Sequence, residues 1–149
     1  MGGQVEAIFV APERGELPTS VERVRAFAGR GLEGNRYYWE DGDAPPGRGV
    51  TLIAAEAMDA VANEGAVSIE PAATRRNVLT RGIDVNELVG KRFRIGDVEC
   101  EGVELCEPCA HLESMTQPGV MKALVHRGGL NADILSDGEI TVGDSVVTI

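Results

Sequence analysis

The stretch ELCEPCAHLE, residues 104–113, gathers two of the chain's three cysteines, Cys106 and Cys109, and one of its two histidines, His111. Four kinds of chemistry fit those residue types at that spacing. Cys106 and Cys109 are a C-x2-C pair with His111 two residues on, so a structural zinc site needs only one more ligand, from Cys100 or His126. A zinc ribbon normally brings a second paired knuckle, and the chain offers none. A thioredoxin-like dithiol is the second reading. Such a pair sits at a helix N-terminus in a βαβ unit, whereas this one follows a strand, among Glu104, Glu107 and Glu113, whose charge weakens a thiolate. The third reading is one accessible thiol, Cys109 or Cys106, working beside guanidinium groups that grip a phosphate or another oxyanion. In the fourth the thiols pack as small hydrophobes. Pro108 makes a tight turn between them, which suits a rim better than a core.

Cations for the third reading are present. Arg75, Arg76, Arg81, His126 and Arg127 lie near predicted strand or helix ends, and in a barrel such ends converge on one rim. Ordinary surface charge is the competing reading for any single arginine. The formal net charge of -10 argues against nonspecific binding to nucleic acid or to anionic membrane surfaces. An odd number of cysteines and an N-terminus unlike a signal peptide favour free thiols or metal ligands over bridges, in a soluble cytoplasmic protein without a membrane span. The 149 residues suit one domain, 1–149, with no linker in view.

The elements that must position these groups are mostly short strands. Residues 4–10, QVEAIFV, and 20–27, SVERVRAF, alternate at a period of two and predict half-buried strands; VTLI, 50–53, predicts a third. The Gly- and Pro-rich segment 29–49 between them contains Tyr37, Tyr38 and Trp39, and reads equally as a functional rim or as a solvated excursion pinned by aromatics. AAEAMDAVANEG places Ala54, Ala57, Met58 and Val61 at i, i+3, i+4 and i+7 before Gly65, which predicts an amphipathic helix. RRNVLT predicts a strand, and DVNELVG a helical turn capped by Asp84 with Glu87 three residues later. KRFRIGDVECEGVEL predicts a hairpin turning at Gly96 and Asp97, and EITVGDSVVTI another at Gly143 and Asp144. PGVMKALVHRGG predicts the last helix, from Pro118 to a C-cap at Gly128 or Gly129, and NADIL a strand. About nine short strands with two or three helices point to a mainly β chain. Closure into a barrel removes exposed strand edges, with the short helices covering its open parts.

In their order these segments resemble the MOSC domain, found at the C-terminus of molybdenum cofactor sulfurases and as stand-alone bacterial and archaeal proteins. GRGLEGNRY is similar to the family's "G-l-x-G-D-r" segment, VTLIAAEAM to the strand and helix that follow, and RRNVLTRGIDVNELVGKRFRIGDV to its central "R-x-N-l…G-d-l-n-x-L-x-G-k-x-F-r-i-G-d-v" block. ELCEPCAHLE matches the cysteine segment and RGGLNADILSDGEITVGDSV the closing strands, so the likeness runs from about Gly29 to the C-terminus.

The resemblance implies a MOSC-type β-barrel that binds the pterin molybdenum cofactor, molybdopterin. The family's "P-C" cysteine corresponds to Cys109, which would carry activated sulfur for a metal-sulfur centre or ligate molybdenum directly; Cys106 is an auxiliary thiol. Arg76 and Asn77, with Arg75 and Arg127 nearby, would hold the cofactor phosphate or order the pocket. Asn35 stands where the family usually has Asp, so a role needing a carboxylate there is in doubt. With no pyridoxal-phosphate sulfurase domain and no ferredoxin-like domain in this chain, sulfur would come from a cysteine desulfurase or other donor, pass to a metal-sulfur acceptor, and any electrons would come from a partner. Two other functions fit these residues: a molybdenum-cofactor-dependent reductase of N-oxygenated compounds, and a noncatalytic barrel with a cysteine-based zinc site.

Overall fold

The computed structural model describes residues 2–149 except 13–16, 36–37, 41–43, 66 and 68, and of His111 it describes the backbone. Tyr37 and the His111 side chain therefore lie outside the described residues. In chain order the strands are β1 (Gly3–Val10), β2 (Thr19–Val21), β3 (Arg23–Phe27), β4 (Gly31–Leu32), β5 (Val50–Ala54), β6 (Val78–Arg81), β7 (Arg92–Ile95), β8 (Val98–Leu105), β9 (Leu130–Ile134), β10 (Gly138–Thr141) and β11 (Ser145–Thr148). The helices are α1 (Ala55–Glu64), α2 (Ala110–Met115) and α3 (Val120–Ala123), with 3-10 turns at Pro71–Thr74 and Val85–Leu88. Asp84 caps the second of these turns, its Oδ1 accepting from the Asn86 N–H at 3.0 Å.

Seven strands close a barrel in the order β1, β6, β5, β9, β8, β7 and β11, with β11 returning to β1 through the pair Gly3 and Val146. β2 extends β1 outside this ring, and β4, β3 and β10 form a separate small sheet. The barrel interior is filled by side chains such as Val5, Ile8, Leu52, Val78, Phe93, Ile95, Leu130 and Val146, all essentially inaccessible to water. Val5 and Ile8 are an odd number of residues apart and would face opposite sides of a regular strand. A bulge between Val5 and Ala7 shifts the register against β6 and turns both inward.

Among the described strands β5 and β6 are the one parallel pair in the ring, joined by a crossover through α1. Parallel strands under a helix are buried on both faces. Accordingly Leu52 and Val78 point into the barrel, while Ile53 and Leu79 pack outward with Phe9, Ala55 and Met58 of α1. Gly65 ends α1 in the left-handed conformation at φ 73°, its N–H donating to the Ala62 carbonyl, as the sequence predicts.

Three sequence expectations differ from the fold. The segment 20–27 is two strands, not one: Val21 pairs with Ile8 of β1, while Arg23–Phe27 pairs with β10 in the small sheet. EITVGDSVVTI is not a hairpin, because β10 pairs with β3 and β11 with β7 and β1. Both switches share a cause. The Gly143–Asp144 turn is clamped to β1 by Gly143 N–H to Val5 O at 2.9 Å and Val5 N–H to Asp144 O at 2.8 Å, and Val142 N–H holds Glu22 O at 2.9 Å. The last helix is also shorter than expected, four residues, and its exit takes a left-handed residue at His126, φ 62°, ahead of Gly128.

Asn77 stitches three strands together at the start of β6. Its Oδ1 accepts from Thr51 N–H and Thr51 Oγ1, both at 3.1 Å, and its Nδ2 donates to Phe9 O at 3.0 Å. Asn77→Ala leaves the Thr51 N–H and the Phe9 carbonyl unmet in a buried place. A loss of about 2–4 kcal/mol is expected in urea unfolding, and a loss below about 0.5 kcal/mol would contradict this role.

Candidate functional site

Strand ends at one rim of the barrel enclose a pocket of about 370 Å³. Its wall is built from the exit of β1 at Ala11, the entries of β5 and β6 at Thr51 and Arg75 to Asn77, the exit of β8 from Glu104 to Cys109, and Asn131 of β9. The loop before β5 adds Asn35, Pro46, Gly47 and Arg48, so these described residues of the Gly- and Pro-rich segment lie on the pocket rim. It is anchored by Arg30, whose guanidinium donates to the Trp39 and Glu40 carbonyls, and by an edge-to-face contact of Tyr38 on Phe27 at 5.9 Å.

The three cysteines separate cleanly. Cys100 lies inside the barrel with no exposure, and burial, helped by Asp133, pushes its thiol up to about 12. It is the packed small hydrophobe of the fourth reading and cannot join a ligand set at the rim. Cys106 is half-buried in the pocket wall, and Cys109 is exposed at the same pocket. Burial pushes the Cys106 thiol above its ordinary value, while the Arg76 guanidinium pulls the other way. Cys109 is the N-cap of α2, with Sγ accepting from the Leu112 N–H at 3.5 Å.

Arg76 fixes the loop that carries these thiols. It is 8% exposed and donates from Nε to Gly128 O at 2.7 Å, from Nη1 to Thr74 O at 3.0 Å and from Nη2 to Cys106 O at 2.8 Å. Cys106 N–H donates to Gly129 O at 2.8 Å. A Cβ at Gly128 would sit 2.6 Å from the Cys106 carbonyl oxygen, so this close approach of the two segments requires glycine. Arg76 and Asn77 thus order the pocket, with most of their polar groups committed to the chain itself.

Arg75 and Arg48 provide the other positive charge on the wall. Arg75 takes φ 66° as the C-cap of the 3-10 turn Pro71–Thr74, its N–H donating to Ala72 O at 3.1 Å. Arg127 is not part of this pocket. It pairs with Glu64 at 2.6 Å and lines a separate groove beside α1. Arg81 is likewise drawn off by Glu6 at 2.7 Å and Asp59 at 3.0 Å. Arg81 closes β6 at the end opposite Arg75–Asn77, and Arg127, although next to Gly128 at the cysteine loop, spends its guanidinium on Glu64.

The glutamates that threatened the thiols are partly spoken for. Glu113 Oε1 accepts from Gly119 and Met121 N–H at 3.0 and 3.1 Å, and Glu107 holds His126 through Nδ1 at 2.9 Å and N–H at 2.7 Å. Glu104 remains on the pocket wall. Among the described residues no group of three or more His, Cys, Asp or Glu side chains is placed to hold a metal ion.

Asn35 is the wall residue whose role spacing did not disclose. It is 8% exposed, and its Oδ1 accepts from the Ala11 N–H at 3.0 Å. Only the oxygen can meet that N–H, which leaves Nδ2 as the donor of this pocket-lining side chain. An aspartate could keep the Ala11 bond but would add negative charge to the wall.

A small closed β-barrel with two thiols and several arginines at one rim pocket is the class these observations define. The chain belongs to the MOSC domain family, whose model matches residues 16–147. Among solved structures it is similar to the YuaD protein from Bacillus subtilis, at a TM-score of 0.81 and 15% identity over 98% of this chain and 94% of that one. It is similar also to YiiM from Geobacillus stearothermophilus, at 0.75 and 16% identity over 99% of this chain and 75% of that one. YiiM from Escherichia coli gives 0.72 and 16% identity over 100% of this chain and 70% of that one. At these identities the likeness is one of fold. No curated protein matches the chain. Among the described residues no helix is long and apolar enough to cross a membrane.

Proposed function

We propose that this MOSC protein binds the molybdenum cofactor in the rim pocket and carries activated sulfur on Cys109 for a metal-sulfur centre. The observation that carries the reading is a single exposed thiol on the wall of a pocket that also presents Arg48, Arg75 and the Asn35 amide. Exposure is what a thiol needs to be reached by a protein sulfur donor such as a cysteine desulfurase. The residues fit the cofactor: the volume is within the usual range for small-molecule sites, the arginines suit a phosphate, and a thiol suits a soft metal. When bound, the cofactor would supply a thiophilic metal and an anionic phosphate. Arg75 and Arg48 would face the phosphate, Asn35 Nδ2 would donate to an acceptor oxygen, and Arg76 and Asn77 would keep the wall in shape.

In the loading step the Cys109 thiolate attacks the outer sulfur of a donor persulfide. A new sulfur–sulfur bond forms on Cys109, the donor's own sulfur–sulfur bond breaks, and the donor leaves as a thiolate. The test is mass spectrometry of the protein after brief incubation with a cysteine desulfurase and cysteine. The expected result is added sulfur appearing first on Cys109; a chain that takes up none overturns sulfur carriage.

The position of Cys109 on the pocket wall favours a second reading, in which the same thiol ligates molybdenum. Activity toward N-oxygenated compounds would then need an external electron donor.

A further inference from the structure

Cys106 and Cys109 stand at the two ends of a segment pinned at both ends. Cys106 is held by its N–H to Gly129 O and by Arg76 at its carbonyl, each at 2.8 Å. Cys109 is held through its carbonyl, which accepts from Glu113 N–H at 3.1 Å, and through Sγ. Both thiols line the same cavity, one exposed and one half-buried, and each lies within the other's electrostatic reach. Simple packing does not account for two thiols on a pocket wall.

We propose that the pair is a sulfur relay, in which Cys109 takes sulfur at the surface and passes it to Cys106 deeper in the pocket. The proposal rests on the sulfur-carrier reading of Cys109. In the relay step the Cys106 thiolate attacks the outer sulfur of the Cys109 persulfide. The bond from that sulfur to Cys109 breaks, a bond to Cys106 forms, and the proton lost by Cys106 ends on Cys109. One thiol and one persulfide are consumed and one of each is produced, so no oxidant or reductant is required. Attack on the outer sulfur also relaxes the geometry, because the sulfur–sulfur bond of about 2 Å extends the reach of Cys109, and the stricter geometry of a Cys106–Cys109 disulfide is not needed.

The arrangement gives the transfer a direction. A persulfide on Cys109 is open to attack by any dissolved thiol, whereas on Cys106 it is sheltered by the wall, beside the Arg76 guanidinium, and still faces the pocket. Sulfur would then be delivered from the wall that receives the ligand, and Cys109 would be free to be loaded again.

Time-resolved mass spectrometry with alkylation tests this on wild type, Cys106→Ser and Cys106→Ala, after a short pulse of desulfurase and cysteine. In wild type the added sulfur should appear on Cys109 and shift to Cys106. In both variants it should stay on Cys109 and be stripped faster by added glutathione, with unchanged thermal unfolding confirming an intact fold. Sulfur that stays on Cys109 in wild type overturns the relay while leaving the carrier reading intact. A Cys106–Cys109 disulfide with released sulfide overturns the relay as well. Failure of the carrier reading is distinct, since no sulfur would reach Cys109 in any of the three proteins.

Discussion

Arg76→Ala is expected to destabilise the protein by about 3–5 kcal/mol, read as a fall in the urea midpoint at constant slope. The guanidinium is buried and donates to three carbonyls on three separate segments, Thr74 before β6, Cys106 after β8 and Gly128 before β9. Hydrogen bonds from a charged donor contribute about 1.5–3 kcal/mol each. Their sum overstates the effect, because the substitution also removes a charge that was costly to bury. The remaining loss is still a large share of the about 5–15 kcal/mol that holds a typical domain together. Arg76→Lys should recover less than half of it, since one ammonium cannot span three carbonyls in a planar fork. The released loop should also make Cys106 alkylate faster in the native state. A loss below about 1 kcal/mol, with unchanged Cys106 labelling, would show that the three segments hold without Arg76.

Cys109→Ser is expected to abolish sulfur loading from a protein donor while leaving stability nearly unchanged. The residue is exposed, and serine can keep the capping bond to the Leu112 N–H, so the change in unfolding free energy should stay within about 0.5 kcal/mol. Cys106 should not substitute as an entry point, because it is half-buried and its thiol is held above its ordinary pKa. Cys100 should stay inert behind the barrel wall, its thiol pushed up to about 12. If the variant loads as much sulfur as wild type, Cys109 is not the carrier. Loading the same variant with cofactor addresses the ligation reading: molybdenum retained as well as in wild type would exclude Cys109 as its ligand.

Local pattern was enough for the features that depend on near neighbours. Period-of-two alternation marked β1, the short run VTLI marked β5, the i, i+3, i+4, i+7 spacing with Gly65 marked α1, and Asp84 marked a capped turn. Side-chain direction and capping act within a few residues, so they are written into short stretches of chain. The same holds for the exposure of Cys109, where the Pro108 turn suits a rim better than a core. The order of these segments also carried the MOSC resemblance that the match over residues 16–147 bears out.

Tertiary structure decided which strand each strand meets and which charge each charge meets. Spacing made residues 20–27 one strand and 139–149 a hairpin, but the clamp of the Gly143–Asp144 turn on β1 sends each segment into two sheets. Arg75, Arg76, Arg81 and Arg127 are alike in sequence. Only in the fold are Arg81 and Arg127 taken by distant carboxylates, Arg76 committed to the loop carbonyls, and Arg75 placed on the pocket wall. Asn35 reaches Ala11 across 24 positions, and Arg76 reaches Gly128 across 52. Such partners are brought together by closure of the barrel, which joins β11 to β1 from opposite ends of the chain, and no window of neighbouring residues contains them.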